Sequence, residues 1–268
     1  IFVELLLQLL VGNVDQMMVS RVSQPSVAAI VNANQIMNLV IIVLSMASTA
    51  VTVILSQYLG AQDEKNASRT CMVSIVLISG VSLAATILVF AGHTPLYRAI
   101  HVPEEVFDEA SLYLLIVGAF ILVQGLYLTF SAMIRAFAMV KEVMIISVIM
   151  NAMNIVGNAI LINGWFGMPQ LGAVGAAIST DISKLVGLAL MIGMFFKSRR
   201  VKIGMSYLRP FPVQILKNLC LLAIPTGVES FSYNLSQMII LGIVNSFGTL
   251  VTVTKGYCTI FANIDYVY

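Results

Sequence analysis

The run from Val27 to Tyr58 is apolar, contains no proline or glycine, and exceeds the roughly 20 helical residues needed to cross a bilayer core of about 30 Å. Comparable stretches fall at 1–20, 68–91, 109–134, 143–163, 173–196 and 220–246, and an eighth opens at 251. They are numbered here as spans one to eight, with 27–58 as span two. Lipid offers the backbone no hydrogen-bond partners, so a crossing segment is a helix or part of a closed barrel, and these runs lack the period-2 alternation of barrel strands. The fold class expected is therefore an all-α polytopic membrane protein. Span two is long enough to tilt or to protrude beyond the hydrocarbon. Composition agrees: 59% of residues are hydrophobic and 10% are charged, against about 25% charged in a soluble domain.

The net charge of +2 suggests no nucleic-acid partner, and the distribution of charge carries more information than its sum. Lys65 and Arg69 follow span two, Arg135 and Lys141 follow span four, and Lys197, Arg199, Arg200, Lys202, Arg209 and Lys217 follow span six. The alternate loops hold only Arg21 and Arg98. The positive-inside rule then places the first set, and the start of the chain, in the cytoplasm of a multi-pass protein of the cell membrane. The outer loop after span three holds Glu104, Glu105, Asp108 and Glu109 behind Pro103, which reads as a short amphipathic cap. His93 and His101 lie in that loop too, and a solvated loop is expected there, with no metal site. Cys71, Cys220 and Cys258 are isolated in apolar segments, so neither a disulfide framework nor a zinc site is indicated. No HExxH, GxSxG or P-loop is present, and the chain is expected not to be an enzyme or to need a cofactor.

The chain opens at Ile1 inside one apolar run and stops at Tyr268 inside another, and we read it as a piece of a longer protein. Its organisation is expected to be a six-helix lobe over 1–196, a basic linker over 197–219 containing Pro210 and Pro212, and the first one or two helices of a second lobe over 220–268. "NVDQM" at 13–17 and "NLSQM" at 234–238 share an Asn-x-x-Gln-Met frame, as if span seven began the same bundle again. An even number of spans per half makes such repeats parallel.

Depth follows from topology at 1.5 Å of rise per residue, which puts Asp15 and Asn158 about 8 Å below the outer boundary and Asn154 about 6 Å deeper. Asn34, Gln35 and Asn38 fall about 10 to 16 Å in, and Thr180 and Asp181 about 10 to 12 Å in. Glu4, Gln8 and Asp15 share one helix face, as do Asn151, Asn154 and Asn158. A carboxylate near the bilayer centre costs about 2.5 to 3.5 kcal/mol on insertion scales, so Asp15 should face the bundle or a wet cavity, where it suits a proton or Na⁺ switch. Buried Asn, Gln and Ser also serve as interhelical glue worth about 0.6 kcal/mol each. Asp181 and Lys184, at i and i+3, read as a structural ion pair. On span seven, Glu229 shares a face with Tyr233, Ser236 and Gln237. With Asn34 and Gln35, the residues Glu229, Tyr233 and Gln237 are candidates for lining a cavity that binds a cationic substrate. "GAVGAAIS" (172–179) should let helices approach closely. The fifteen methionines offer adaptable apolar surface, or simply fill the core.

"FGMPQLGAVGAAIST" (166–180) resembles the junction of the fifth and sixth spans of MATE (multidrug and toxic compound extrusion) transporters. "SQYLGAQD" (56–63) resembles the end of their second span, and "IPTGVES" (224–230) the opening of their second lobe. The resemblance implies a twelve-helix antiporter of two lobes that exports drugs or organic cations against H⁺ or Na⁺, of which this chain would be the first lobe, the interlobe linker and the start of the second. It further implies a protein monomeric at full length, with cation coupling at Asp15, Asn154, Asn158 and Thr180. Two positions depart from the family pattern. Asn158 stands where an aspartate is frequent, leaving Asp15 as the main titratable group of the cluster, and Ala138 stands where a glycine is expected after span four. The alternatives are a lipid-linked saccharide flippase of the same superfamily, for which Lys184 is the single cation within the first six spans, or a membrane scaffold without transport activity.

Overall fold

The computed structural model describes residues 18–20, 23–162, 164, 167, 170–198 and 200–267, and within these the side chains of all but 226, 229, 260, 261 and 263–267. The described chain is a helical bundle, as the apolar runs require. Residues 18–20 are helical at the end of span one. Span two is the helix Gln24–Gly60, started by Ser23, whose hydroxyl accepts the Ser26 N–H at 3.3 Å, with Pro25 in the first turn where its missing N–H costs nothing. Asp63 caps span three, accepting the Asn66 N–H at 3.0 Å and the Asn66 side-chain amide at 2.7 Å. Those two bonds hold its carboxyl below the ordinary range.

Span three runs as Glu64–Ala99, longer than its expected 68–91, because Pro95 is accommodated inside the helix. His93 is therefore on a helix and not in a loop, and Arg98 lies in the last turn. The expected acidic cap is corrected likewise. Only residues 100–103 separate the helices, and Glu104 and Glu105 form the first turn of span four, where unpaired N–H groups favour acids. Span four is not the unbroken 109–134 of the sequence reading. It is a bent pair, Glu104–Ala119 and Ile121–Ala136, meeting at 47° across Phe120. Gly118 and Gly125 press against span three there: a Cβ on Gly118 would come 2.9 Å from Val89 Cγ1, and one on Gly125 would collide with Ser82. Ala138, after this span, holds φ 62°, a left-handed conformation that costs a non-glycine residue roughly 1 to 2 kcal/mol.

Span five is Val140–Leu161 and span six Gly172–Ser198. Gly172 needs its freedom at φ 53°, whereas Gly175 needs its lack of a side chain, since a Cβ would lie 2.6 Å from the Leu161 carbonyl oxygen. A 3₁₀ turn, Met205–Leu208, precedes span seven, Val213–Asn245, which accommodates Pro225, and span eight, Thr249–Val267. Among the described residues four helices are long and apolar enough to cross a membrane, and the bent pair makes a fifth.

The core has two storeys. Ile30, Ile36, Val89, Tyr97, Leu114 and Ala176 belong to the one nearer the acidic turn. Leu55, Met133, Ile134, Met191, Phe195 and Leu219 belong to the one nearer the basic loops, where Phe130 and Phe195 meet edge to face at 5.4 Å between ring centroids. Spans two to six surround both storeys, and span seven lies along span two.

Candidate functional site

Spans five and six bring three of the candidate residues into one chain of hydrogen bonds. The Asn154 amide donates to Thr180 Oγ1 at 3.1 Å, and the Asn158 amide donates to Asn154 Oδ1 at 3.3 Å. The backbone takes part, because Ser179 Oγ donates to the Asn154 carbonyl at 3.0 Å. Both asparagines are buried and Thr180 is half-buried. The register comes from small residues: Gly157 faces Ser179 so closely that a Cβ would collide with its hydroxyl, and Gly175 packs on Leu161. The i, i+4 spacing of Asn154 and Asn158 stacks them on one face of span five. Asp15, Glu4 and Gln8 lie outside the described residues.

The remaining candidates lie elsewhere. Gln35, half-buried, donates to the Asn234 carbonyl at 3.2 Å and so ties span two to span seven. Asn34 is half-buried and Asn38 exposed. Tyr233 is 64% exposed, and the half-buried Gln237 offers its carbonyl to Lys255 Nζ at 3.5 Å. Ser236 donates to its own helix at Ser232 O. The Glu229 side chain is outside the description. Asp181 is buried, and neither of its carboxylate oxygens makes a hydrogen bond, to Lys184 or to any other described residue.

A second cluster was not anticipated from the sequence. Asn245, at the end of span seven, donates to Asn32 Oδ1 at 2.6 Å and to the Ile100 carbonyl at 2.8 Å, and its own Oδ1 accepts from Thr252 Oγ1 at 2.8 Å. Asn32 completes its own valence by donating to Ala28 O at 2.9 Å. All three side chains are buried. Gly242 permits the approach, since a Cβ there would lie 3.3 Å from Ile100 Cα. Thr249 Oγ1 donates to Glu105 Oε2 at 3.1 Å and Ser26 Oγ donates to Glu109 Oε1 at 2.5 Å, so one acid in the first turn of span four and one in its second are structural acceptors. Depth reckoning does not single the cluster out, since Asn245 ends its helix and Thr252 begins the next, whereas Asn32 lies about 12 Å along span two from Gln24.

Comparison with known proteins places this bundle. The chain is 37% identical over 257 residues to the "Uncharacterized transporter YisQ" of Bacillus subtilis, covering 96% of this chain and 56% of the relative. It is 26% identical over 238 residues to a "Probable multidrug resistance protein NorM" of Thermotoga maritima, covering 86% and 50%. The chain thus spans about half the length of the curated relatives it matches. An inward-facing structure of a multidrug resistance MATE family transporter superposes with a TM-score of 0.82 at 22% identity, over 92% of this chain and 55% of that one. An outward-facing one superposes with 0.77 at 18% identity, over 100% and 65%. The family model MatE matches residues 1–160, and with the helical bundle and the relatives in hand, this multi-pass membrane chain belongs to the MatE family.

Proposed function

We propose that this chain supplies the first lobe (1–196), the interlobe linker (197–219) and the start of the second lobe (220–268) of a secondary active antiporter that exports drugs or organic cations in exchange for H⁺ or Na⁺. The observation that carries the reading is the Asn158–Asn154–Thr180 chain of hydrogen bonds, a buried polar group of adaptable donors and acceptors at the depth where Asp15 is expected. The NorM relatives, named as probable multidrug resistance proteins, support the substrate class. The protein works as a transporter and not an enzyme, and needs no cofactor beyond its coupling ion. It acts as a monomer in the cell membrane with its start in the cytoplasm, and Asn34, Gln35, Glu229, Tyr233 and Gln237 contribute to the substrate cavity.

The mechanism follows from what each state of Asp15 requires. A neutral carboxyl exchanges hydrogen bonds with Asn154, Asn158 or Thr180, whereas a charged one needs water or Na⁺ in the same place. The two states favour different packings of spans one, five and six, and such differential stabilisation of two conformations is what coupling requires. The test is dye export from proteoliposomes under an imposed pH or Na⁺ gradient. Asp15→Asn should leave the protein folded and able to bind dye while removing the roughly 5- to 150-fold effect that a coupling free energy of 1–3 kcal/mol supplies. Gradient-driven export at the wild-type rate would remove Asp15 from the mechanism.

A further inference from the structure

Between Asp181 and Glu229 the chain has no acidic residue, and within that interval Lys197, Arg200, Lys202, Arg209 and Lys217 are all exposed. They do not sit on a free loop. The Lys202 N–H donates to Ser68 Oγ at 3.4 Å, and Val201, Ile203 and Leu208 pack on the core storey that holds Ile215 and Leu219. The segment is thereby laid against the first turns of span three. Arg69, next to Ser68, is half-buried there, and its Nε is buried without a hydrogen-bond partner. Of the acids at this end, Asp63 is engaged in capping Asn66, Glu64 is exposed beside Lys65, and Glu142 is half-buried beside Lys141.

Apolar side chains alternate with these cations. Met205 is 80% exposed, Val213 64% and Phe211 45%. A bias toward cytoplasmic Lys and Arg accounts for the presence of the basic residues, but not for apolar neighbours turned outward among them. A basic segment carrying outward apolar groups, fixed where helices leave the hydrocarbon, has the composition of an interfacial membrane-binding element. A phosphodiester supplies what these exposed cations lack, negative charge and acceptor oxygens.

We propose that residues 200–217, with Lys197 and Arg69, form a docking surface for the headgroups of anionic phospholipids. Lys202 and Arg209 donate to the headgroup phosphate, the half-buried Arg69 adds its positive charge beside them, and Met205 and Phe211 enter the acyl boundary. This tethers the connection between spans six and seven to one leaflet. The inference does not depend on transport or on which leaflet faces the cytoplasm.

The test uses the full-length protein in nanodiscs of equimolar phosphatidylglycerol and phosphatidylcholine, with retained lipids counted by native mass spectrometry. Wild-type protein should retain phosphatidylglycerol several-fold over phosphatidylcholine. The combined variant Arg69→Gln, Lys202→Gln, Arg209→Gln should bring the two lipids to parity, while Lys202→Arg with Arg209→Lys should keep the enrichment. Arg98→Gln, at the far end of span three, should leave it unchanged. The proposal is overturned if wild type shows no preference, if the glutamine variant keeps it, or if Arg98→Gln abolishes it. Displacement of the lipid by soluble glycerophosphoglycerol would overturn it too, since the surface would then read a free phosphodiester and not a membrane.

Discussion

Asn245 and Asn154 are each the hub of a buried hydrogen-bonded cluster, and they differ in what they join and how tightly. Around Asn245 the bonds are 2.6, 2.8 and 2.8 Å long, use both amide protons and the carbonyl, and connect spans two, seven and eight with the turn after span three. Around Asn154 the described side-chain bonds are 3.1 and 3.3 Å long, a 3.0 Å bond from Ser179 reaches its backbone carbonyl, and together they join the neighbouring spans five and six and include a half-buried hydroxyl. Short bonds that use every donor and acceptor hold one arrangement, because breaking any of them orphans a buried polar group. Longer bonds between groups that each both donate and accept can be traded for an ion, a carboxyl or water at little cost. Chemically similar residues thus suit opposite tasks: the Asn245 cluster acts as a latch across distant parts of the chain, and the Asn154 cluster as an adjustable site within one helix pair.

The largest effect should come from breaking the latch. Asn245→Leu orphans Asn32 Oδ1 and the Ile100 carbonyl, and leaves the Thr252 hydroxyl only its 3.3 Å bond to the Gly248 carbonyl. Measured interhelical bonds average about 0.6 kcal/mol and unsatisfied buried groups cost about 1 to 3 kcal/mol, so a loss of about 2 kcal/mol is expected. That is about thirtyfold in the ratio of latched to open conformers at 1.4 kcal/mol per decade. Spin labels at Arg98 and Phe247 should report it as a longer distance in double electron–electron resonance. An unchanged distance distribution would mean that the apolar packing of spans two and seven holds this end closed by itself.

Gly175→Ala tests whether the Asn154 cluster depends on close helix approach. The added carbon meets the Leu161 carbonyl oxygen at 2.6 Å, a backbone atom that cannot swing aside as a flexible side chain would, and overpacking of this kind costs about 1 to 3 kcal/mol. The thermal midpoint in detergent should fall, and gradient-driven export should fall with it as Asn154 and Thr180 separate. The smallest stability effect is expected for Asn154→Ala, about 0.6 kcal/mol, because its bonds are long and its partners can re-pair. Its thermal midpoint should stay near wild type while coupling to the ion gradient is lost. If Asn154→Ala destabilised the protein as much as Asn245→Leu, the contrast between a latch and an adjustable site would collapse.

Much of this was legible before any coordinates. Asn154, Asn158 and Thr180 could be grouped because topology and helical rise put them at one depth and face, and both quantities follow from counting residues. Gln35 was at the right depth too, yet it bonds Asn234 on span seven, since depth does not say which neighbour a helix face meets. Asp181 and Lys184 have the spacing of an ion pair, and the Asp181 oxygens make no hydrogen bond among the described residues. The bend at Phe120 and the passage of span three through Pro95 escaped the reading for a related reason. Local propensity marks where a helix can break, while packing against its neighbours decides whether it does.

The sequence by itself determined that this chain crosses a membrane as helices, in what order, and which residues lie at matching depth, because lipid leaves the backbone no alternative and a helix converts residue number into distance. Tertiary structure alone decided which polar side chains become partners. Asn32 and Asn245 are far apart in the chain, and nothing in either local sequence distinguishes them from Asn34 or Asn234. They meet because Gly242 lets span seven close on Ile100, and only that closure excludes water from all three polar side chains at once.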